Sequence, residues 1–152
     1  MTFKNKYNEL EKKFSLPSYE ELNNDFEISS IEEEAFLLRA VRRKIAEKLD
    51  IYSKIIEQIL MPESNQASIL ECQLFSQEEK NKIYSLFKRI MYFDRMSIET
   101  SINETEEKTA EFINKFYKEW NSIKEQLKII FSELKQGWTK EFNFKEDNNY
   151  LG

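Results

Sequence analysis

Arginine is the residue type in this chain whose placement suggests chemistry. Lysine predominates throughout, yet the arginines fall in two segments only, Arg39, Arg42 and Arg43 in the first and Arg89 and Arg95 in the second. A planar guanidinium presents a fixed fork of donors that matches carboxylate or phosphate bidentately, so clustered arginines either bind an anion or bridge acidic side chains within a fold. If the two segments are helices folded back on each other around a turn between 61 and 77, positions equally far from the turn come level. That sets Arg43 roughly opposite Arg95. A further reversal near 101 to 104 brings Glu107 and Glu111 to the same level, with Asp94 adjacent. The favoured reading is an inter-helix network in which arginines bridge Asp94, Glu107 and Glu111. The other is a recess in which Arg39, Arg42, Arg43 and Arg95 hold a small anion, a nucleic-acid phosphate or an acidic partner segment.

Other catalytic constellations are missing. With no histidine, the chain has no imidazole base, no Ser-His-Asp arrangement and no Glu-x-x-His metal pair. The lone Cys72 pairs with no second thiol, which fits a reducing compartment and makes zinc binding unexpected. Two glycines cannot build a Gly-rich phosphate loop. Glu47-Lys48-Leu49-Asp50 resembles the Glu-x-x-Asp element with which MazG-like nucleotide pyrophosphohydrolases hold magnesium. The Glu-Glu-x-x-Glu element of that family is incomplete, because Glu32-Glu33-Glu34 is followed by Ala35, Phe36 and Leu37. Glu47 and Asp50 are therefore read as solvated helix residues, and the chain as a non-enzymatic protein without cofactor or metal.

Which elements would position the arginines follows from punctuation and periodicity. Gly and Pro occur only twice each, too rarely for a fold of many strands and tight turns. Phe3, Tyr7, Leu10 and Phe14 recur at helical spacing until Leu16-Pro17. Ser18 with Glu21, Ser30 with Glu33, and Ser76 with Glu79 each have the spacing of a capping box. They predict a short second helix, a long third helix from about 31 to 61, and a long helix from about 77 to 101. Along the third, Leu38, Val41, Ile45, Leu49, Tyr52, Ile56 and Leu60 form one stripe. The next carries Ile83, Leu86, Phe87, Ile90, Met91, Phe93 and Ile98, a face wide enough to make it the candidate for the most buried helix. Residues 62 to 76 read as a linker with one packed helical turn. Asn103 is a candidate N-cap for the last helix, in which Ile113, Phe116, Trp120, Ile123, Leu127, Ile130 and Leu134 recur at steps of 3 and 4 until Gly137. That heptad stripe would suit a coiled coil, but Phe116 and Trp120 are bulky for a two-stranded seam and favour an intramolecular core.

The expectation is an all-α, antiparallel bundle of three long helices with two short N-terminal helices packed across it. It occupies 1–138, followed by a polar, partly disordered tail over 139–152. In that tail Phe142, Phe144, Tyr150 and Leu151 either fold back on the bundle or form a docking motif. A formal net charge of −5 disfavours nucleic acid and anionic membrane as partners. No apolar run spans a bilayer and no signal peptide is evident, so the expected location is cytoplasmic. The functional expectation is an adaptor or complex subunit that binds a protein partner, with self-association left open.

Overall fold

Scarce helix breakers and well-placed caps decide where the elements begin and end. The computed structural model describes residues 2–32 and 35–140. Among them the chain forms six α-helices, one short 3-10 helix and no strand. The helices are α1 (Phe3–Phe14), α2 (Tyr19–Phe26), α3 (Leu37–Leu60), α4 (Gln66–Gln73), α5 (Gln77–Ser101) and α6 (Glu106–Gly137), with the 3-10 helix at Ile28–Ser30. No described helix is long and apolar enough to cross a membrane.

Two of the expected capping boxes form the bonds their spacing implies at the helix start. Ser18 Oγ accepts from the Glu21 N–H at 3.1 Å. At the start of α5 the exchange is reciprocal: the Glu79 N–H donates to Ser76 Oγ at 3.1 Å, and the Ser76 N–H to Glu79 Oε1 at 2.9 Å. Both satisfy donors that the first turn of a helix leaves without backbone partners.

Ser30 behaves differently. Its hydroxyl donates to the Glu27 carbonyl at 2.6 Å inside the 3-10 helix, and α3 begins only at Leu37, not near 31. The buried side chain of Ile28 anchors that detour. Glu33, the other half of the expected box, lies outside the described residues.

The stretch read as a linker holds a full two-turn helix. Asn65 Oδ1 accepts from the Ser68 N–H at 2.9 Å and starts α4. The break before α6 is clean. Asn103 adopts a left-handed φ of 53° and does not cap with its side chain. Thr105 does so instead, its Oγ1 accepting from the Lys108 N–H at 3.2 Å.

The chain divides into two compact units, Met1–Ile51 with Met91–Asn121 and Tyr52–Ile90 with Ser122–Gly152, so α3, α5 and α6 each contribute a segment to both. In the first unit α5 and α6 run antiparallel: they are joined by the turn at 102–105, and Tyr92 of α5 accepts from Lys115 Nζ of α6 at 2.7 Å. Its core is aromatic around the fully buried Phe116. The Phe26 ring of α2 stands edge-on to Phe116 at 5.6 Å, Phe93 of α5 does so at 5.4 Å, and Phe112 stacks on it at 6.1 Å. Such pairs add roughly 0.5–1.5 kcal/mol each beyond the apolar area they bury. Trp120 joins the cluster at 5.0 Å from Phe26 while its Nε1 donates to Asp25 Oδ2 at 2.8 Å. The short N-terminal helices are thereby held against the long ones, with Tyr7 and Leu22 also fully buried.

The core of the second unit is mostly aliphatic, with Phe75 also buried in it. Ile56 and Ile59 of α3, Leu70 of α4, Ile83, Leu86 and Ile90 of α5, and Ile123, Leu127, Ile130 and Leu134 of α6 are all buried. Here too α5 and α6 are antiparallel, with Arg89 Nη1 donating to Ser122 Oγ at 3.2 Å. Gly137, the last residue of α6, has no positive φ. It is needed for closeness, because a Cβ there would lie 2.3 Å from Leu74 Cδ1. α4 is closed onto α6 at that point, and Trp138 Nε1 donates to Glu71 Oε2 at 3.0 Å.

The heptad stripe of α6 is buried along its whole length. The expected broad face of α5 narrows to one row, Ile83, Leu86, Ile90 and Phe93, continued by Ser97 and Thr100. Ile98 is 53% exposed, so α5 is not the most buried helix. α3 buries more positions, among them Leu37, Leu38, Ala40 and Val41 within little more than its first turn.

Candidate functional site

The first α3 turns carry three of the candidate arginines, and helical spacing sends them in different directions. Arg42 follows Leu38 by four residues on the inward row and is itself buried, at 6% exposure. Its guanidinium meets Glu104, from the turn before α6, as a fork: Nε to Oε2 at 2.8 Å and Nη2 to Oε1 at 3.0 Å. Nη1 donates to Ser97 Oγ of α5 at 3.0 Å and lies 3.4 Å from the Ser97 carbonyl. Glu104 Oε2 also accepts from Thr109, whose hydroxyl is 2.7 Å away and fully buried. One guanidinium thus ties together α3, the end of α5 and the turn into α6.

Burial alone would raise the Glu104 pKa. The hydrogen bonds from Arg42 and Thr109, with the positive charges of Arg42 and Arg39, outweigh it and hold the carboxyl below the ordinary glutamate range. That favours the carboxylate form of Glu104, and the arginine's directional donors are directed to the protein's own acceptors.

Of the other arginines, Arg39 stands close enough to add its charge to Glu104, while Arg43 and Arg95 are turned elsewhere. Arg39 is half-buried, its guanidinium 4.9 Å over the Phe36 ring. Arg43 faces solvent. Arg95 has a side chain 66% exposed and pairs with its neighbour Asp94. The arginine that turns inward to the end of α5 is Arg42, while Arg43 faces away from it, and the acidic partner is Glu104 instead of Asp94, Glu107 or Glu111. Phe142, Phe144, Tyr150 and Leu151 lie outside the described residues.

Among the described residues no group of three or more His, Cys, Asp or Glu side chains converges as metal ligands do. Glu47 is exposed and 3.8 Å from Lys44, and Asp50 also faces solvent.

Sequence reasoning did not single out the surface of the second unit. Between α5 and α6 runs a groove of about 300 Å³. Its floor is formed by the buried Phe75, Ile83, Leu86 and Ile130, and Ile129 stands on its wall, 66% exposed. Glu79, Lys82, Gln126 and Glu133 make the rim. The signal for it was the doublet Ile129-Ile130, in which Ile130 belongs to the core stripe and Ile129 falls outside it. A second recess, about 350 Å³, lies between the end of α3 and the start of α5, beside Met61 and Tyr84. Its walls are more polar, with Glu57, Gln77, Lys80 and Asn81, and Lys88 Nζ sits 5.0 Å over the Tyr84 ring. Comparison with known protein families, with curated proteins and with solved structures finds no match.

Proposed function

We propose that this chain is a non-enzymatic interaction protein, an adaptor or complex subunit, whose α5–α6 groove receives an apolar segment of a protein partner. The observation that carries the reading is Ile129, a large aliphatic side chain left 66% exposed directly beside a buried apolar floor. An apolar trough with a charged rim between two antiparallel helices is the surface that an amphipathic helix uses when it lays its apolar face into a groove. The rim residues Glu79, Lys82, Gln126 and Glu133 stay in water at the edge of such a contact and set its register more than its strength.

The alternative, an anion-binding or nucleic-acid-phosphate-binding module, has less support. Arg42, the best oriented of its candidates, already makes a bidentate contact with Glu104, and an incoming anion would have to displace a buried carboxylate. Such a module would depend on Arg39, Arg43 and Arg95.

The test is co-purification from the source cell at moderate salt with mass spectrometry of protein and nucleic acid. It compares the wild type with Ile129→Glu and with Arg43→Ala/Arg95→Ala. All three substituted side chains are solvent-facing, so each variant should fold, which circular dichroism checks. The proposal expects a stoichiometric protein that Ile129→Glu loses and the arginine variant keeps. A partner retained by Ile129→Glu, or an anion or nucleic acid lost only in the arginine variant, overturns it.

A further inference from the structure

The rim of the α5–α6 groove carries its charge unevenly, and that asymmetry bears on what fits there. Arg89 of α5 meets Ser122 of α6, and equal numbers of residues counted back along α5 and onward along α6 set Lys82 level with Ile129, and Glu79 within about one residue of Glu133. The end of the groove nearest the start of α5 is therefore flanked by a carboxylate on each side, and Lys82 stands about one turn further in. All three side chains are exposed. The Ser76 N–H, donating to Glu79 Oε1 at 2.9 Å, holds that carboxyl below the ordinary glutamate range and favours its charged form. Towards the other end the rim residue is the uncharged Gln126.

We propose that the groove's partner is an amphipathic helix with a Lys or Arg about one turn from the apolar side chain that covers Ile129, and that this cation sits between Glu79 and Glu133. The inference rests on the groove being a docking surface, and adds the charge pattern of what docks there.

Length, backbone chemistry and charge each select that occupant. Glu79 to Leu86 on one side and Gln126 to Glu133 on the other span about 10 Å at helical rise, the length of two turns, which suits helix anchors at i, i+3 or i+4, and i+7. A helix pairs its own backbone groups, whereas an extended segment would bury them against Phe75, Ile83, Leu86 and Ile130, whose side chains offer no hydrogen-bond partner. A cation at the acidic end meets two opposite charges, and an acidic residue there would meet two like ones. Lys82 keeps the preference local, since a helix basic along its whole length would set a like charge against it. A second copy of this chain fits poorly. If two copies pair about a two-fold axis with each Ile129 in the other's groove, Glu133 comes opposite the other copy's Glu125 when the α6 helices run antiparallel, and opposite its Glu133 when they run parallel. Acid meets acid in both, and a net charge of −5 adds to the repulsion.

The experiment is selection from a displayed library of amphipathic helical peptides, with leucine fixed at the anchor positions and the flanking positions randomised. It is run on the purified full chain, on Ile129→Glu and on Glu79→Gln/Glu133→Gln. Glutamine at 79 keeps an oxygen that can accept from the Ser76 N–H, so the start of α5 stays capped, and all the substituted positions are exposed. The proposal expects binders that Ile129→Glu loses, with Lys or Arg enriched at one flank of the anchor. It expects the double glutamine variant to hold the enriched peptide about three- to tenfold more weakly, the loss of two exposed ion pairs, and the difference to vanish at high salt. Binders that need Ile129 but show no basic preference, or an affinity unmoved in the double variant, overturn this inference and leave the groove reading standing. A library that yields no peptide dependent on Ile129 overturns both. Sedimentation of the free chain reads the remaining occupant: a wild-type dimer that becomes a monomer in Ile129→Glu puts a second copy in the groove and overturns the basic helix.

Discussion

Removing the Glu104 carboxylate should be among the most damaging single changes outside the hydrophobic core. In Glu104→Ala the Arg42 guanidinium, with only 7% of its side chain exposed, keeps Ser97 but loses both arms of its bidentate pair. Breaking a buried ion pair from one side costs roughly 3–5 kcal/mol, because the remaining charge stays desolvated without its counter-charge. Ser97 and the slight remaining exposure place the expected loss at the lower end, about 3 kcal/mol. That is a large fraction of the roughly 5–15 kcal/mol by which a domain of this size is stable. Replacing both members by apolar residues of similar length, as in Arg42→Met/Glu104→Leu, removes the buried charges together and should recover most of the loss.

The acid limb of stability carries the same signature. The folded Glu104 pKa is held below its ordinary value, so its contribution is fully present above the unfolded pKa of about 4.3 and is lost as pH falls through the depressed folded value. The stability gap between wild type and Glu104→Ala should narrow over that acidic window. Urea unfolding at a series of pH values reads both effects, with an unchanged m-value reporting that only stability has moved. A loss below about 1 kcal/mol at neutral pH, the range of exposed ion pairs, would refute the argument that this is a buried clamp.

Two further changes test the packing. Gly137→Ala should destabilise by about 1–2 kcal/mol in thermal or urea unfolding, since overpacking against Leu74 outweighs the gain in helix propensity; Leu74→Ala in the same background should relieve most of the clash. Trp120→Phe removes the indole N–H that donates to Asp25 and leaves space in the aromatic cluster. It should cost about 2 kcal/mol, whereas an effect within 0.5 kcal/mol would show that the bond to α2 contributes little.

The fold was legible wherever local chemistry and burial agreed. Ser76 and Glu79 carry complete capping chemistry within four residues, and the α6 stripe from Ile113 to Leu134 repeats long enough to outweigh local exceptions. Ser30 had an equally good spacing, yet its hydroxyl was recruited by the Glu27 carbonyl, a competitor that spacing alone does not reveal. α4 was under-read because the apolar residues of its two turns do not fall on one face, and its Asn65 cap has no glutamate three residues on.

For the candidate site, helical rise counted back from a turn gives the level of the arginines but not the face each one takes. Arg42 shares the inward row with Leu38 and Ile45, whereas Arg43 is rotated off it. The acidic partner was sought on helices, but Glu104 lies in the non-helical turn after the left-handed Asn103, where rise per residue gives no guidance. The groove arises from how α5 and α6 are set side by side, and the sequence held only a hint of it in the off-stripe Ile129.

The central claim is that the α5–α6 groove is the working surface of the protein, and photo-crosslinking in the source cell reads that surface most directly. A photoreactive residue at position 129, with the same residue at the solvent-facing position 95 as control, reports which neighbour occupies each place. The account predicts one dominant adduct with a single protein from position 129, absent from position 95 and reproduced with the purified partner. Adducts of equal yield from both positions, or nucleic acid captured from position 95 and nothing from 129, would contradict it.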